Sequence, residues 1–232
     1  MKKDTGFYIQ MHLHTAEASR CARVGGADMA RACKEAGYDL IIVTDHFFNA
    51  NTTTNPGDPW EKQVEDLFAG YRAAKAVGEK IGLRVLKGWE TFTDGPEYLT
   101  YGLDEEFLLQ NPDIARLPKE EYLARVHAAG GFVSHAHPFR RASYLPIFTP
   151  DPRGLDAVEV FNGRHMDPSF DEQARKMARR NHLPGTAGAD AHNTLHIYDG
   201  AMRFPYPVCT AEEIFRAIQK GDGEIVRELH PR

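Results

Sequence analysis

Short apolar stretches of strand length alternate with amphipathic stretches of helical length along most of the chain. Leu40–Val43 is an uninterrupted apolar run, which is typical of a parallel strand buried on both faces. Asp28–Ala36 and Trp60–Glu79 carry apolar residues at helical spacing. Such alternation predicts parallel strands that are joined by right-handed crossovers.

The other predicted elements continue this order to the end of the chain. Asp167 followed by Pro168 indicates the start of one helix, and Thr210 with Glu213 forms a capping box at the start of the last. About seven strands favour an α/β barrel over an open doubly wound sheet, and no G-x-G-x-x-G motif follows the first strand. We expect one barrel domain over residues 1–232. Further strands are predicted at 8–13, 83–86, 98–103, 132–134, 157–161 and 186–188, and further helices at 119–129, 168–180 and 211–219.

Charge and composition narrow the range of functions. The formal net charge of −5 disfavours nucleic acid as a partner, because its phosphate backbone calls for a basic surface. No apolar run approaches the roughly 18 residues of a membrane span, and no apolar stretch follows the N-terminal lysines as in a signal peptide. We therefore expect a cytoplasmic protein without a membrane partner. Cys21, Cys33 and Cys209 contain no C-x-x-C pair, so neither a disulfide framework nor a thiolate zinc site is predicted, and Cys21 and Cys33 are expected to be structural.

Histidines and carboxylates are concentrated at or directly after the predicted strands. His12 and His14 lie two residues apart on the first strand, a spacing that places both imidazoles on one face. In α/β barrels the carboxyl ends of the strands carry the active site. The residues expected to converge there are His12, His14, His46, Glu90, His137, Asp190 and His192.

This set predicts a metal centre. It offers seven nitrogen or oxygen ligands, whereas one zinc ion needs three or four, so two or three divalent metal ions are inferred. Any single group also has a structural explanation, since a strand-end histidine can cap a carbonyl group. Five such groups at strand ends indicate a site.

The same residues resemble the motifs of the PHP (polymerase and histidinol phosphatase) domain superfamily, and the resemblance covers nearly the whole chain. It implies a distorted (β/α)7 TIM-like barrel, a di- or trinuclear site of zinc, manganese or iron, with magnesium disfavoured, and hydrolysis of phosphate esters. The motifs are His12-Leu13-His14-Thr15, Thr44-Asp45-His46, Glu90, His137-Pro138 and Gly188-Ala189-Asp190-Ala191-His192.

The resemblance also implies how the ligands are shared. Glu90, Asp190 and His192 are the candidate catalytic residues among them. By similarity, the first metal is held by His12, His14, Glu90 and Asp190, the second by Glu90 and His137, and the third by His46 and His192.

The sequence departs from the family pattern at two places. A histidine often follows the H-x-H pair by six residues, and here that position is Arg20. Glu17 is compatible both with replacing this ligand and with an exposed loop position. No histidine stands at Leu99–Tyr101, so the second metal lacks a ligand unless His135 or water replaces it. His135 is equally compatible with orienting a ligand or contacting the substrate.

Phosphoryl transfer requires the protein to supply positioning and positive charge. Arg20, Arg140 and Arg164 follow predicted strands, and each could form a forked contact with a phosphate group. His165 is a candidate acid for the leaving group. Together with His135, these residues form the predicted substrate-binding set.

The predicted function is hydrolysis of a small phosphomonoester, of histidinol phosphate, sugar phosphate or nucleotide type, by a metal-activated hydroxide. The alternative at the same site is a phosphodiesterase or exonuclease acting on oligonucleotides or on cyclic or bis-phosphorylated nucleotides. A metal-storing barrel without activity is a further alternative. An amide hydrolase is disfavoured, because the strand ends offer no lysine to bridge the metals.

Overall fold

A mixed β-sheet forms the framework of the computed structural model, which describes residues 5–93, 95–143 and 145–229. In this part of the chain the sheet has nine strands. They are β1 (Phe7–Gln10), β2 (Leu40–Val43), β3 (Arg84–Phe92), β4 (Glu97–Tyr101), β5 (Phe132–His135), β6 (Ala157–Asn162), β7 (Gly185–Gly188), β8 (Ala201–Phe204) and β9 (Glu224–Val226).

The first seven strands form the predicted barrel, which is distorted and nearly closed. The strand order is β7-β6-β5-β4-β3-β2-β1-β8-β9. β1 to β3 are parallel, as are β5 to β7, whereas β4 is antiparallel to both of its neighbours. The parallel pairing predicted from the alternation is therefore wrong at β4. The connection from β3 to β4 is too short for a helical crossover, so these strands form a hairpin.

Backbone contacts between the segments after β7 and β1 close the barrel. The N–H group of His14 donates to the carbonyl oxygen of Ala191 at 2.8 Å, and the N–H group of Ala191 donates to that of His12 at 3.2 Å. Nearer the strands, Oε1 of the buried Gln10 side chain accepts the N–H group of Ala189 at 2.9 Å. A side chain thus replaces a backbone partner in the ladder between the first and last barrel strands.

Seven α-helices lie within the described residues. Asp167 and Thr210 cap two of them as predicted, since each side chain accepts a backbone hydrogen bond from the first turn. The helix predicted over 60–79 is instead two helices that meet at Phe68. The helices are α1 (Gly26–Ala36), α2 (Trp60–Leu67), α3 (Ala69–Ile81), α4 (Glu105–Gln110), α5 (Lys119–Ala128), α6 (Pro168–Arg180) and α7 (Ala211–Lys220).

Strand β2 separates two apolar layers, as its uninterrupted apolar sequence predicts. Leu40 and Ile42 belong to a buried cluster that includes Phe215 of α7. Ile41 and Val43 belong to a second cluster, which includes residues of α1 and α3. Successive side chains of a strand point to opposite faces, so four apolar residues serve both layers. No helix in the described ranges is long and apolar enough to cross a membrane.

Candidate metal centre

The polar residues predicted at the strand ends converge at the carboxyl edge of the barrel. Their nitrogen and oxygen atoms form four overlapping groups, and the ligand atoms of each group lie within 4.8 Å of one another. Every one of the seven predicted strand-end residues belongs to at least one group. The groups are His12, His14 and Asp190; His12, Glu90 and His137; His14, His46 and His192; and His46, Glu90 and Glu97.

Four side chains form the most buried part of this centre. The Nε2 atoms of His12 and His14 are 3.1 Å apart. Oδ1 of Asp190 lies 3.5 Å from Nε2 of His12 and 3.3 Å from Nε2 of His14. The two oxygens of Glu90 lie 3.3 Å and 3.5 Å from the same two nitrogens. Ligands held about 2.0–2.2 Å from one divalent ion are roughly 3.0–3.5 Å apart, so these side chains fit a metal site.

Hydrogen bonds on the far side of both rings orient the H-x-H pair. Nδ1 of His12 lies 2.9 Å from Oε1 of Glu159. Nδ1 of His14 lies 3.2 Å from Oγ of Ser19, which in turn donates to Asp45 at 2.7 Å. We therefore assign the Nδ1 proton to both rings. The Nε2 atoms then face each other and two carboxylates, an arrangement that fits a shared cation. Burial lowers the pKa of His12, but the charges of Asp190, Glu159 and Glu90 outweigh burial and raise the pKa well above its usual value.

Burial and neighbouring charges shift the pKa values of the candidate ligands. Burial opposes ionisation of Glu90, but the imidazoles around it, His12 foremost, hold its pKa well below the usual range. Burial acts in the same way on Asp190, and there His12 and Arg140 hold the pKa well below its usual value. For His14, burial and two neighbouring imidazoles lower the pKa. Ionised carboxylates and neutral imidazole are the forms that bind metals.

Unusual backbone conformations direct two of the candidate ligands. Asp190 has a φ angle of 51° and His137 one of 26°, in the left-handed region that residues other than glycine rarely adopt. Gly188 at the end of β7 allows a close approach to β1, because a Cβ atom there would lie 2.4 Å from Cβ of His12. This approach brings Asp190 beside the H-x-H pair.

Glu97 belongs to the centre, although the sequence did not point to it. Nε2 of His137 lies 3.0 Å from Oε1 of Glu90 and 3.6 Å from Oε2 of Glu97. Burial, and then the charge of Glu90, raise the pKa of the Glu97 carboxyl. Glu97 begins β4, and because this strand is antiparallel its amino end lies where the parallel strands end. The sequence prediction considered only the carboxyl ends of strands and therefore did not include Glu97.

Cys21 also lies at the centre, whereas the sequence predicted a structural role for it. Its Sγ atom is 3.2 Å from Nε2 of His46. Burial raises the pKa of the thiol, but hydrogen bonds with His192 and His46 outweigh burial and lower the pKa to about 6. The sequence does carry one indication that Cys21 lies at the centre. This residue directly follows Arg20, the position at which the family often has a histidine.

A cavity of about 640 Å³ opens from the centre, a size typical of small-molecule sites. Phe92 and Leu145 are among the apolar residues that line it. Arg140, one of the predicted substrate-binding residues, lines it too. The Arg140 guanidinium donates to Oδ2 of Asp190 at 2.6 Å and to Oδ1 of Asn162 at 2.7 Å.

Glu17, for which the sequence leaves open a replacement ligand or a loop position, lies away from the centre. Both of its carboxylate oxygens accept the N–H group of Gly26 at 3.0 Å. Gly26 is the first residue of α1, where a negative charge is stabilised by the helix dipole. Among the described residues, Glu17 is in none of the four ligand groups.

Two of the three predicted phosphate-binding arginines contact other parts of the protein. Nε of Arg20 donates to the carbonyl oxygen of Thr52. Arg164 forms an ion pair with Asp199. Neither arginine lines the cavity. Both lie in loops, whose course does not follow from periodicity, and this is why their partners were not predicted.

His135 is buried, the side chain of His165 is 2% exposed, and neither residue lines the cavity. The ring of His135 packs against that of Tyr98 with centroids 4.9 Å apart, and burial lowers its pKa to about 3. The positive φ angle of His137 interrupts the strand, so the two-residue offset does not bring both rings into the centre. His165 Nδ1 is 2.7 Å from Oδ1 of Asp171, in a helix outside the centre.

Several solved structures have folds similar to that of this chain. A two-domain protein containing predicted PHP-like metal-dependent phosphoesterase, from Bacteroides vulgatus ATCC 8482, is similar with a TM-score of 0.73 and 16% identity. The similarity covers 97% of this chain, which spans only 65% of the length of the Bacteroides chain. PsfC from Pseudomonas syringae PB-5123 is similar with a TM-score of 0.63 and 18% identity, over 97% of this chain and 92% of that one.

The lesion-specific endonuclease PfuEndoQ from Pyrococcus furiosus has a TM-score of 0.61 at 16% identity, over 95% of this chain and 58% of that one. The comparison with curated proteins gave no significant match. Residues 168–222 match the PHP_C family, described as PHP-associated, and this segment includes Asp190 and His192. The match covers about a quarter of the chain, and the structures, at 16–18% identity, show that the chain shares their fold.

Proposed function

We propose that the protein is a metal-dependent phosphoric ester hydrolase whose substrate is a small phosphomonoester. The observation that carries this proposal is the spacing of the ligand atoms of His12, His14, Glu90 and Asp190, which lie 3.1–3.5 Å from their neighbours in the cluster. The adjoining cavity of about 640 Å³ has room for a phosphorylated metabolite. The likeness to a PHP-like phosphoesterase supports the same class of reaction.

The residues present can hold two or three metal ions. Zinc, manganese or iron bound there would stabilise charge on the phosphoryl oxygens and supply a nucleophile near neutral pH. Glu90, Asp190 and His192 line the cavity and are the residues that we place around the reacting phosphate. In this proposal the first ion is held by His12, His14, Glu90 and Asp190, the second by Glu90, His137 and Glu97, and the third by His46 and His192.

The other residues around the centre hold the ligands and the substrate in position. Arg140 binds Oδ2 of Asp190, which leaves Oδ1 directed at the H-x-H pair. The same guanidinium lies in the cavity wall, where its charge can offset that of a phosphate group. Glu159 keeps the His12 ring in its orientation from the opposite side.

Hydrolysis of p-nitrophenyl phosphate by protein loaded with zinc or manganese tests the proposal. We expect Glu90→Gln and Asp190→Asn each to lower kcat by about 1,000-fold or more and to reduce bound metal, because both carboxylates are ligands in the first position. Glu61→Gln changes an exposed carboxylate on α2 and serves as the matched control. Unchanged turnover in either ligand variant would disprove the proposal.

A phosphodiesterase acting on oligonucleotides is the second candidate, and the fold likeness to a lesion-specific endonuclease supports it. The net charge of −5 speaks against it, because backbone phosphates are bound by clusters of lysine and arginine. Parallel assays with p-nitrophenyl phosphate, bis-p-nitrophenyl phosphate and a single-stranded oligonucleotide separate the two. Faster cleavage of the diester or the oligonucleotide than of the monoester would favour the second candidate.

A further inference from the structure

We propose that Asn162 positions the Arg140 guanidinium for binding of a phosphate group and ties it to the carboxylates of the metal centre. This inference rests on the proposed function, in which Arg140 offsets the charge of the phosphate group. Asn162 is neither a predicted ligand nor a predicted substrate-binding residue, and it does not line the cavity. It therefore acts through Arg140 and not by contact with the substrate.

An irregularity in β6 brings the Asn162 side chain to the centre. Glu159 and Asn162 are three residues apart, a separation that places side chains on opposite faces of a regular strand. The pairing of β6 with β7 shifts register between Glu159 and Phe161, as at a β-bulge. The extra residue offsets the separation, and the two buried side chains meet, with Nδ2 of Asn162 2.8 Å from Oε2 of Glu159. Beyond the bulge, Asn162 pairs with Gly188 at the end of β7, beside the segment that leads to the metal centre.

The two ends of the buried Asn162 amide serve different partners. At one end, Oδ1 accepts from Nη2 of Arg140 at 2.7 Å and from the backbone N–H group of Arg164 at 2.8 Å. At the other end, Nδ2 donates to Oε2 of Glu159 at 2.8 Å and to Oδ2 of Asp190 at 3.4 Å. Two accepted and two donated hydrogen bonds are the full capacity of an amide. These partners therefore fix its orientation.

The partners match an amide and neither of the two side chains of similar shape. Arg140 presents a donor to one end of the side chain, whereas Glu159 and Asp190 present acceptors to the other. An aspartate would turn an oxygen toward these two carboxylates, and like charges at that distance repel each other. A leucine would remove one hydrogen bond from each partner, and the burial of the carboxylates makes that loss costly.

Asn162 fixes the direction of the Arg140 guanidinium. Nη2 of Arg140 donates to Oδ2 of Asp190 at 2.6 Å as well as to Oδ1 of Asn162. One acceptor leaves a guanidinium able to rotate about the contact, whereas two acceptors on the same nitrogen define its plane. Because Oδ2 of Asp190 is also 3.4 Å from Nδ2 of Asn162, the three side chains form a closed triangle. A phosphate group in the cavity therefore meets a charge that is already in place, which reduces the cost of ordering on binding.

A purely structural role of Asn162 makes a different prediction. Its contact with the backbone of Arg164 could serve only to order the loop after β6. In that case, loss of Asn162 would weaken phosphate binding by the same factor whether or not Arg140 is present. If Asn162 acts through Arg140, its loss has no further effect once the guanidinium is gone. Residues in contact that act as one unit show such non-additive effects.

A double-mutant cycle with inorganic phosphate tests the inference without turnover. Calorimetric titration of the full-length, zinc-loaded protein compares the wild type, Asn162→Ala, Arg140→Ala and the double variant at equal metal content, which elemental analysis verifies. We expect Asn162→Ala to raise the Kd for phosphate about 10-fold in the wild-type background and by less than about twofold in the Arg140→Ala background. Asn181→Ala changes an exposed asparagine at the end of α6 and should leave the Kd unchanged. Asn162→Thr fills most of the space of the amide but cannot contact both sets of partners, so it should reproduce the result of Asn162→Ala.

The possible results separate this inference from the proposed function. A wild type that binds no phosphate, an unchanged Kd in Asn162→Ala, or an equal factor in both backgrounds would overturn the role of Asn162. Hydrolysis of p-nitrophenyl phosphate alongside any of these results would leave the proposed function intact. Coupled effects on phosphate binding, in a protein that hydrolyses no phosphate ester, would support the role of Asn162 and refute the function. If Asn162→Ala does not fold, the cycle with Asn162→Thr decides by the same criteria.

Discussion

Oε1 of Glu159 lies 2.9 Å from Nδ1 of His12, and both side chains are buried. The other oxygen of Glu159 accepts the backbone N–H group of His137 at 2.9 Å. One carboxylate in the middle of β6 therefore positions ligands from two other segments of the barrel. His12 belongs to the first proposed metal position and His137 to the second, so Glu159 connects the two.

Substitution of Glu159 by glutamine should weaken metal binding without unfolding the protein. The amide keeps the shape of the side chain but loses the charge that makes the His12 imidazole more basic. We expect the affinity for zinc to fall by about 10- to 100-fold, as measured by competition with a chromogenic chelator. Glu172→Gln on the exposed face of α6 is the control. An unchanged affinity would show that Glu159 does not act on the metal ligands.

Metal removal should lower the thermal stability of the protein. Ions that bind only the folded state stabilise it by about 4 kcal/mol at a thousandfold excess over Kd, so Tm should fall by roughly 10 °C after chelation. Differential scanning fluorimetry with and without a chelator measures this. Asp190→Asn, which lacks a ligand of the first position, should show a smaller decrease. An equal decrease in both proteins would indicate that the chelator acts elsewhere.

Substitution of Arg140 by alanine should reduce phosphatase activity strongly. It removes a positive charge from the cavity wall and leaves Oδ2 of Asp190 without its 2.6 Å contact to the guanidinium. We expect kcat/KM for p-nitrophenyl phosphate to fall by about 100-fold, with partial recovery in Arg140→Lys. The neighbouring Arg141 is exposed, and Arg141→Ala should retain wild-type kinetics. A similar loss in both alanine variants would contradict a specific role of Arg140.

Substitution of Glu17 by alanine should affect stability and leave metal content unchanged. The carboxylate accepts the first N–H group of α1, and loss of such a contact costs about 1 kcal/mol. For a chain of this size that corresponds to a decrease in Tm of about 2–4 °C. Zinc content measured on the same samples distinguishes the two roles of Glu17. One zinc fewer per chain would restore Glu17 as a ligand.

The strands and their polar ends were predictable because periodicity and burial are local properties. Leu40–Val43 is a strand with the predicted bounds, and the seven predicted ligands lie together. Glu97 could not be found in this way, because its placement depends on the direction of β4, which a hairpin sets. Glu159 was visible as a charge within an apolar strand, but its contact with the first strand is a tertiary relationship.

Loop residues were the least predictable part of the site. Arg20 and Cys21 are neighbours, yet the first contacts Thr52 and the second contacts His46. Both residues lie at nearly the same distance along the sequence from the H-x-H pair. This distance therefore does not predict which of the two side chains lies at the centre. The loop is fixed by backbone hydrogen bonds to two other segments, and those partners are not encoded in local spacing.

The Gln10 side chain also imposes an order of events on a chain synthesised from its N-terminus. Gln10 binds Ala189, 179 residues later, and the carbonyl oxygen of Gly200, 190 residues later. The H-x-H pair beside it therefore emerges from the ribosome long before Asp190, the carboxylate that completes its metal position. Until Asp190 is translated, the nascent chain has two imidazoles without this partner. We therefore expect a metal ion to be held at the first proposed position only late in the synthesis of the barrel.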